Sequence, residues 1–184
     1  MSWIDQAPDG IAGGAMTVDG EVPPHTVEPR LFREAMSRIG TAVYVVTTGG
    51  AAGKGGFTAT AVASVSDAPP TLLVCLNSAS RATPVLKANG VMSVNMLRAG
   101  EEAIADVFAG RTGASVEERF KSGEWIVLAT GAPVLYSALV SFDCRILEAK
   151  EVGTHNVFFA AVEAIRHGKA GPALVYHERA YKRV

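Results

Sequence analysis

The sequence lacks an excess of charge of one sign, because its 17 Lys and Arg residues are nearly balanced by 18 Asp and Glu residues. The resulting net charge of −1 provides no overall positive field for nucleic acid or an anionic membrane, and we expect neither as a partner. The chain also lacks an apolar run of membrane-spanning length, and its N-terminal MSWIDQAPDG lacks the features of a secretory signal.

Cysteine is scarce, and motifs for nucleophilic or metal-dependent catalysis are missing. Cys75 and Cys144 lie far apart in predicted strands, without CxxC spacing, so we expect two reduced core thiols, no metal site and a cytoplasmic location. The chain shows no Ser-His-Asp signal and no HExxH. The glycine-rich segment from Gly49 to Gly56 lacks the GxxxxGK[ST] spacing and precedes no helical pattern, which favours a hairpin loop over a phosphate-binding loop.

The chain is long enough for one sizeable core, since it has 184 residues of which 48% are hydrophobic. Glycine and proline recur before residue 27 without hydrophobic periodicity, and such a segment cannot bury enough surface to fix itself. We therefore predict a flexible N-terminal arm over residues 1–28 and one folded domain over residues 29–184.

Few helices are predicted. Leu31, Phe32, Ala35, Met36 and Ile39 recur at helical spacing between Pro29 and Gly40, which predicts a short amphipathic helix. A short helix is predicted between the strands Leu72–Leu76 and Val91–Leu97, and another within Ala99–Gly110. RTGASVEERF predicts a turn and a further helical piece, in which Arg111 and Arg119 are the basic side chains of interest.

Strands dominate the rest of the chain. The predicted strands are AVYVVTT from Ala42 to Thr48, three buried apolar runs (Ala61–Val65, Leu72–Leu76 and Val91–Leu97), a half-buried alternating strand over Leu139–Leu147, a long strand within Gly153–Ile165, and Ala173–His177 followed by a short extension. Many strands with hairpin-length connections and no alternating βαβ order favour an antiparallel barrel.

Small hydroxyl and amide side chains gather at the predicted strand ends between Gly56 and Leu97. They are Thr58, Thr60, Ser64, Ser66, Asn77, Ser78, Ser80 and Asn95. Such groups suit a flat polar ligand, because small side chains let backbone N–H groups approach it and hydroxyls can donate or accept.

Several motifs, in order, resemble the short-chain flavin reductase family. They are GFTATAVASVSDAPPTLLVCLN, SASRATPVL, VMSVNML, DVFAG, the ERF and Trp125 combination, and GTHNVFF. The resemblance covers about Pro29 to Tyr181. Within the family, ALVSFDCRILEAKEVGTH and FFAAVEAI are most similar to the reductases of the Rut pyrimidine-degradation pathway, followed by the reductase components of 4-hydroxyphenylacetate 3-monooxygenases.

The resemblance implies a mainly β fold, an antiparallel Greek-key split β-barrel with a few short flanking helices. It further implies a homodimer that reduces FMN or FAD with NADH or NADPH and passes reduced flavin to a flavin-dependent oxygenase, as in two-component monooxygenases. Because hydride chemistry belongs to the flavin and the nicotinamide, a protein nucleophile or metal is not required.

The resemblance also assigns flavin contacts. They are Phe57, Thr58, Ala59, Thr60, Ala61 and Val62 along the isoalloxazine, Asn77, Ser78, Ser80 and Arg81 at the phosphate, and Asn95. Donors at the ring would stabilise its reduced, negatively charged form, and the second group joins hydroxyls, a guanidinium and helix N–H groups. Alternatives remain open: Thr58 and Thr60 as strand formers, Ser80 as a helix cap, and Asn95 bonded to neighbouring backbone.

His155, in the GTH motif, is the predicted catalytic residue. The resemblance places it beside the nicotinamide, where an imidazole would orient the ring by positioning more than by acid–base work. Many similar proteins have GDH at this point, and the alternative is a surface histidine at a turn. Tyr181 is predicted to close the site, although Lys182 replaces a His that often follows it, and Phe108, Phe120 and Trp125 are predicted to be core.

Two functions are compatible with these residues. In the first, the protein is an NAD(P)H:flavin oxidoreductase. In the second, it is a flavin-binding module without productive nicotinamide turnover. His155 and the serine-rich loop favour the enzyme.

Overall fold

The computed structural model describes residues 27–184, so the predicted arm over residues 1–28 lies almost entirely outside the described residues. The helices in the described range are α1 (Pro29–Ser37), α2 (Ala82–Asn89), α3 (Glu102–Phe108) and α4 (Val116–Phe120). The strands are β1 (Thr41–Ala42), β2 (Tyr44–Thr48), β3 (Gly55–Ala59), β4 (Val62–Asp67), β5 (Pro70–Asn77), β6 (Val91–Met96), β7 (Trp125–Val127), β8 (Pro133–Leu135), β9 (Val140–Val152), β10 (His155–His167), β11 (Leu174–His177) and β12 (Ala180–Arg183).

The main sheet has seven antiparallel strands in the order β3-β2-β6-β9-β10-β5-β4. A three-stranded sheet, β1-β11-β12, and the β7-β8 hairpin flank it. The strand β3 also contacts β5 across the sheet, so the sheet curls upon itself. The predicted antiparallel architecture with few helices is confirmed.

Two apolar clusters form the core on opposite faces of the main sheet. Val46, Met92 and Phe158 belong to one cluster, whereas Val45 and Leu97 belong to the other. Successive residues of β2 therefore enter different clusters, since neighbouring side chains of a strand point to opposite faces. Because both faces of β2 are buried, its sequence is a continuous run of mostly β-branched residues and does not alternate with polar ones.

The predicted amphipathic helix forms as α1, but its apolar face is not covered by the rest of the described chain. Leu31, Phe32 and Met36 expose about half of their surface, at 55%, 56% and 45%. None of the helices within residues 27–184 has the length and apolar character needed to cross a bilayer.

One strand differs from its prediction. The run Ala61–Val65 was expected to be buried, but β4 is the outer strand of the main sheet and all of its residues except the half-buried Val62 are exposed. Val65 alone is 48% exposed. An apolar run of this length does not distinguish an outer strand from a central one, because that difference depends on the sheet order.

The alternation predicted in β9 is present, but two residues of its polar face are buried, whereas Arg145 is exposed. Ser141 and Asp143 are fully buried, and the Asp143 carboxylate accepts hydrogen bonds from the backbone N–H and the hydroxyl of Thr130. A loop covers this face, which local periodicity cannot reveal.

The C-terminal tail was expected to be a short extension, but it forms the strand β12. Glu178 and Arg179 make the connecting turn at φ values of 50° and 59°. A two-residue hairpin turn usually carries glycine or asparagine at such positions, so no residue at this turn indicated a hairpin.

Both cysteines are free thiols, as predicted. Cys144 is fully buried and burial raises its pKa to about 12, whereas Cys75 is only half-buried.

Candidate active site

The segment that joins β3 to β4 forms the centre of the candidate site. Phe57 and Ala59 point into the core, Thr58 lies half-buried between them, and Thr60 and Ala61 are exposed. The Thr58 hydroxyl donates to the carbonyl of Ala105 in α3 over 2.6 Å. Thr58 therefore fixes α3 against the sheet as well as lining the site.

Two adjoining cavities follow this segment. The first has a volume of about 240 Å³ and is lined by Gly56, Phe57, Thr58, Leu76, Ser80, Arg81, Ala82, Phe108, Ala109, Gly110 and Arg119. The second has a volume of about 190 Å³ and is lined by Val43, Thr58, Ala59, Thr60, Ala109, Arg111, Tyr176 and Tyr181.

Because the two cavities share Thr58 and Ala109, they form one groove, which we call the Thr58 groove. Each cavity is smaller than the roughly 300 Å³ at which pockets for small molecules and cofactors begin, so a cofactor would need to extend across both. The groove has a basic end at Arg81 and Arg119 and an aromatic end at Tyr176 and Tyr181.

The basic end begins where β5 leads into α2. Ser80 and Arg81 line the groove, and the Ser80 hydroxyl accepts a hydrogen bond from the backbone N–H of Ala82 over 3.3 Å. Ser80 thus supports the turn that leads into α2 and also lines the groove. The Asn77 side chain accepts a hydrogen bond from the N–H of Ala79 and stabilises the same turn.

His155 lies at the first position of β10, opposite Asn77 of β5. Its Nδ1 is 2.9 Å from the hydroxyl of Thr154, and the backbone N–H of Ser78 donates to the Thr154 carbonyl over 2.9 Å. The backbone N–H of Cys75 also donates to the carbonyl of Ala61. The β3–β4 segment, the end of β5 and the start of β10 therefore lie close together at one end of the sheet. His155 itself is exposed.

Asn156 is buried directly behind Ser78. Its side-chain Nδ2 donates to the Ser78 hydroxyl over 2.7 Å, while its Oδ1 has no hydrogen-bond partner although Asn156 is only 1% exposed. A buried acceptor without a partner is unusual, because such groups are normally satisfied.

A charged network closes the aromatic end of the groove. The Tyr181 hydroxyl donates to Oδ1 of Asp106 over 2.8 Å, and the Arg111 guanidinium donates to the same oxygen over 2.6 Å. Burial, with the hydrogen bond to Asp106, raises the pKa of Tyr181 to about 12. Tyr181 is therefore a neutral hydrogen-bonding group at physiological pH, and its ring packs on Tyr176 with centroids 5.4 Å apart.

Asn95 does not belong to the groove and is removed from the candidate site. It is fully buried in β6, donates to the carbonyl of Val45 over 3.0 Å and accepts from the N–H of Leu135 over 2.9 Å. The alternative of backbone partners is the correct one, because a buried amide in the sheet finds neighbouring strands before it finds a ligand.

The aromatic residues Phe108, Phe120 and Trp125 pack as one cluster, with ring centroids 5.0–5.5 Å apart. This agrees with their predicted core role, and Phe108 additionally forms a wall of the groove. Sequence reasoning missed Asp106 and Tyr176, which gave no local signal because their partners lie 75 residues away or across a turn.

The sequence matches a known protein family over most of its length. Residues 36–184 match the description "Flavin reductase like domain". This chain belongs to the flavin reductase family. Among curated relatives, the FMN reductase (NADH) RutF of Ancylobacter novellus is 49% identical over 168 residues, which cover 91% of this chain and 92% of that protein.

Solved structures of the family share the fold. A protein of Haemophilus somnus assigned as a flavin reductase is 46% identical, with a TM-score of 0.82 over 86% of this chain and 100% of that one. BorF, the flavin reductase component of a bacterial two-component tryptophan halogenase, is 30% identical, with a TM-score of 0.79 over 85% of this chain and 98% of its own.

The NADH:FAD oxidoreductase SgcE6 of Streptomyces globisporus, solved with NAD and FAD fragments, is 27% identical, with a TM-score of 0.77 over 87% of this chain and 96% of its own. The predicted split-barrel fold of the flavin reductase family is thus confirmed.

Proposed function

We propose that this protein is an NADH-dependent FMN reductase whose reduced flavin serves a separate oxygenase. Family membership supports the reaction class, and the names of the relatives support FMN and NADH as the substrates. Within the structure, the proposal rests on the Thr58 groove. This groove has a basic end and an aromatic end, with small polar side chains between them.

The groove fits a flavin mononucleotide by its chemistry. Arg81, Arg119 and the Ser80 hydroxyl at the basic end suit a phosphate, because guanidinium groups bind phosphate oxygens with charge-assisted hydrogen bonds. Thr58, Ala59 and Thr60 at the other end provide small side chains and accessible backbone, which suit a flat ring. A bound flavin would supply the hydride-accepting ring, which no side chain of the protein can replace.

The remaining predicted residues have supporting roles in this proposal. Ser78 is held by Asn156, and its backbone N–H fixes the turn before His155. The exposed imidazole of His155 would contact the nicotinamide of the second substrate and hold it against the ring, and positioning of this kind contributes through proximity. Ala61 and Val62 lead from Thr60 into β4 and line neither of the two cavities.

Partners follow from the same proposal. BorF is the reductase component of a two-component system, and by analogy reduced flavin would leave this protein for an oxygenase component. We further propose a homodimer, because the exposed apolar face of α1 would be covered by a second copy. Two free cysteines agree with a cytoplasmic location.

The test is steady-state NADH oxidation with added FMN. We expect turnover in the wild type and a loss of roughly 10- to 100-fold in kcat/KM for NADH in His155→Ala, because misplacement of a reacting group has effects of this size. His167→Ala, at the other end of β10, is the matched control and should behave as wild type.

The second candidate function, a flavin-binding module, makes a different prediction. Such a module would bind FMN with an unchanged fluorescence signal in the presence of NADH and show no turnover. An active wild type with an equally active His155→Ala would keep the enzyme and remove His155 from its role.

A further inference from the structure

A charged pair lies at the aromatic end of the Thr58 groove, beside the cavity that the proposed function gives to the flavin ring. Thr58, Ala59, Thr60 and Arg111 all line this cavity. Asp106 lies outside the lining, although its carboxylate accepts a hydrogen bond from the Arg111 guanidinium over 2.6 Å. The pair therefore presents its positive member to the cavity and keeps its negative member away from the cavity wall.

Contacts from three parts of the fold hold the Arg111 guanidinium in this position. The backbone N–H of Arg111 donates to the carbonyl of Asp106 over 3.1 Å, which fixes the turn after α3. The Tyr181 hydroxyl of β12 donates to Oδ1 of Asp106 and lies 3.5 Å from Nη1 of Arg111. The central guanidinium carbon lies 5.6 Å from the centroid of the Tyr181 ring, within the range of cation–π attraction. A charge that is already in place acts on a ligand without a cost of reorganisation.

The network formed by Arg111, Asp106 and Tyr181 is neutral as a whole but polarised. Tyr181 keeps its proton at physiological pH, so the guanidinium and the carboxylate are the two charges. A guanidinium has five N–H donors, and its hydrogen bond to Asp106 leaves others for a ligand. The Arg111 side chain is 52% exposed, so a ligand can reach it. Water weakens the field of an exposed charge, and a bound ring that displaces this water strengthens it.

The charge of a flavin mononucleotide changes at only one of its ends during the proposed reaction. Hydride transfer moves two electrons and one proton from NADH to the ring, so NADH becomes NAD⁺ and the ring gains one negative charge. The phosphate keeps its charge throughout. Arg81 and Arg119 line the cavity at the basic end and not the cavity of Arg111, so they attract oxidised and reduced flavin alike. Arg111 borders the cavity in which the new charge develops.

We infer that Arg111 makes the site bind reduced flavin more tightly than oxidised flavin, and so raises the reduction potential of the bound ring, while Asp106 limits this preference. The inference rests on the proposed function, since it takes the flavin ring to occupy the cavity of Arg111. A charge placed near the ring is one of the means by which a protein tunes a flavin. The limit set by Asp106 has a use, because a reduced flavin that serves a separate oxygenase has to leave the site.

The test measures dissociation constants for oxidised FMN and, without oxygen, for reduced FMN, at a slightly alkaline pH where the reduced ring is an anion. Arg111→Gln removes the charge and keeps N–H donors, and we expect the ratio of the reduced constant to the oxidised constant to rise about tenfold. The midpoint potential of bound FMN, measured by dye-coupled titration, should fall by about 30 mV, which is the same tenfold change for two electrons. Arg111→Lys keeps the charge and should change the ratio less than about threefold.

A variant of the partner residue should shift the ratio in the opposite direction. Asp106→Asn keeps an oxygen that can accept from Tyr181 and Arg111 but removes the negative charge, so we expect the ratio to fall below that of the wild type. A general loosening of the site cannot produce two shifts of opposite sign. Arg145→Gln is the matched control, because Arg145 is similarly exposed and also paired with a carboxylate, that of Glu163, but lines neither cavity of the groove. Both shifts should be smaller at high salt.

Three results would overturn the inference: an unchanged ratio in Arg111→Gln, the same shift in Arg111→Gln and Arg111→Lys, or shifts of the same sign in Arg111→Gln and Asp106→Asn. An unchanged ratio together with a higher KM for NADH in Arg111→Gln would assign Arg111 to the nicotinamide dinucleotide. A wild type that binds and reduces FMN with a ratio independent of Arg111 refutes the inference alone, whereas a wild type that binds FMN in neither state refutes the proposed function.

Discussion

At the scale of single residues, Arg81 is the clearest test of where the flavin phosphate binds. Its guanidinium is exposed, borders the groove and forms no ion pair within residues 27–184. We expect Arg81→Ala to weaken FMN binding about tenfold and riboflavin binding hardly at all, since a hydrogen bond to a charged group contributes about 1.5–3 kcal/mol.

Titration calorimetry with both flavins measures this difference, and Lys87→Ala on the same helix serves as the control. An equal loss of affinity for FMN and riboflavin would show that the phosphate does not bind at Arg81.

Tyr181 supports a prediction about pH. Because its pKa is raised from 10.0 to about 12, first by burial and then by the bond to Asp106, the neutral phenol stabilises the fold. This contribution is fully present below about pH 10 and is lost as the pH rises toward about 12.

Absorbance at the phenolate wavelength, compared with Tyr181→Phe, should show one tyrosine that ionises late. In Asp106→Asn its pKa should fall but stay above the ordinary value, because burial remains. A Tyr181 that titrates near pH 10 in the wild type would contradict the network.

At the scale of elements, the packing of α3 on β3 depends on a missing side chain. A Cβ at Gly56 would lie 2.8 Å from the Phe108 ring and 3.0 Å from the Val46 carbonyl oxygen, closer than atoms pack without movement. We expect Gly56→Ala to cost about 1–3 kcal/mol in the free energy of unfolding.

Urea unfolding measures this cost. Gly40→Ala is the comparison, because its Cβ would meet only Val175 at an ordinary 3.6 Å. If both variants were equally stable, the contact between Phe108 and β3 would be looser than the 2.8 Å approach of the Gly56 Cβ requires.

Individual helices and strands show how much of the fold could be predicted from the sequence. Local patterns were sufficient for α1 and β2 and indicated the helical piece that forms α4. The capping box of Ser115 and Glu118 at the start of α4 was not predicted. Local patterns were insufficient for the exposure of β4 and for the burial of Ser141, because both depend on which strand or loop lies alongside.

In the candidate site, too, local patterns were sufficient only where the outcome did not depend on distant parts of the chain. The turn with Ser80 and Arg81 could be found from neighbouring polar residues after a strand. Asp106 and Tyr176 could not, since only the packing of α3 and β11 brings them to the groove. Asn95 was misassigned because a polar residue in a strand signals a need for partners without identifying them.

At the scale of the whole molecule, the proposed homodimer depends on the apolar face of α1. Phe32, at the centre of this face, is 56% exposed. We expect Phe32→Glu to convert a dimer into a monomer, because it places a charge in the covered surface.

Light scattering after size-exclusion chromatography measures the mass. Arg30→Glu, which adds the same carboxylate to the polar face of α1, should leave the dimer intact. A monomeric wild type would refute the proposed dimer, and a dimeric Phe32→Glu would place the interface elsewhere.

The outer position of β4 has a consequence for solubility. An outer strand presents unpaired backbone groups to which another chain can add a strand, and proteins avoid this with bulges, prolines and charges. In β4 the register shifts between Ser64 and Ser66, Asp67 carries a charge at its end, and two prolines follow. These features interrupt the flat edge that a growing aggregate would require, so we expect the exposed valine of this strand not to promote aggregation.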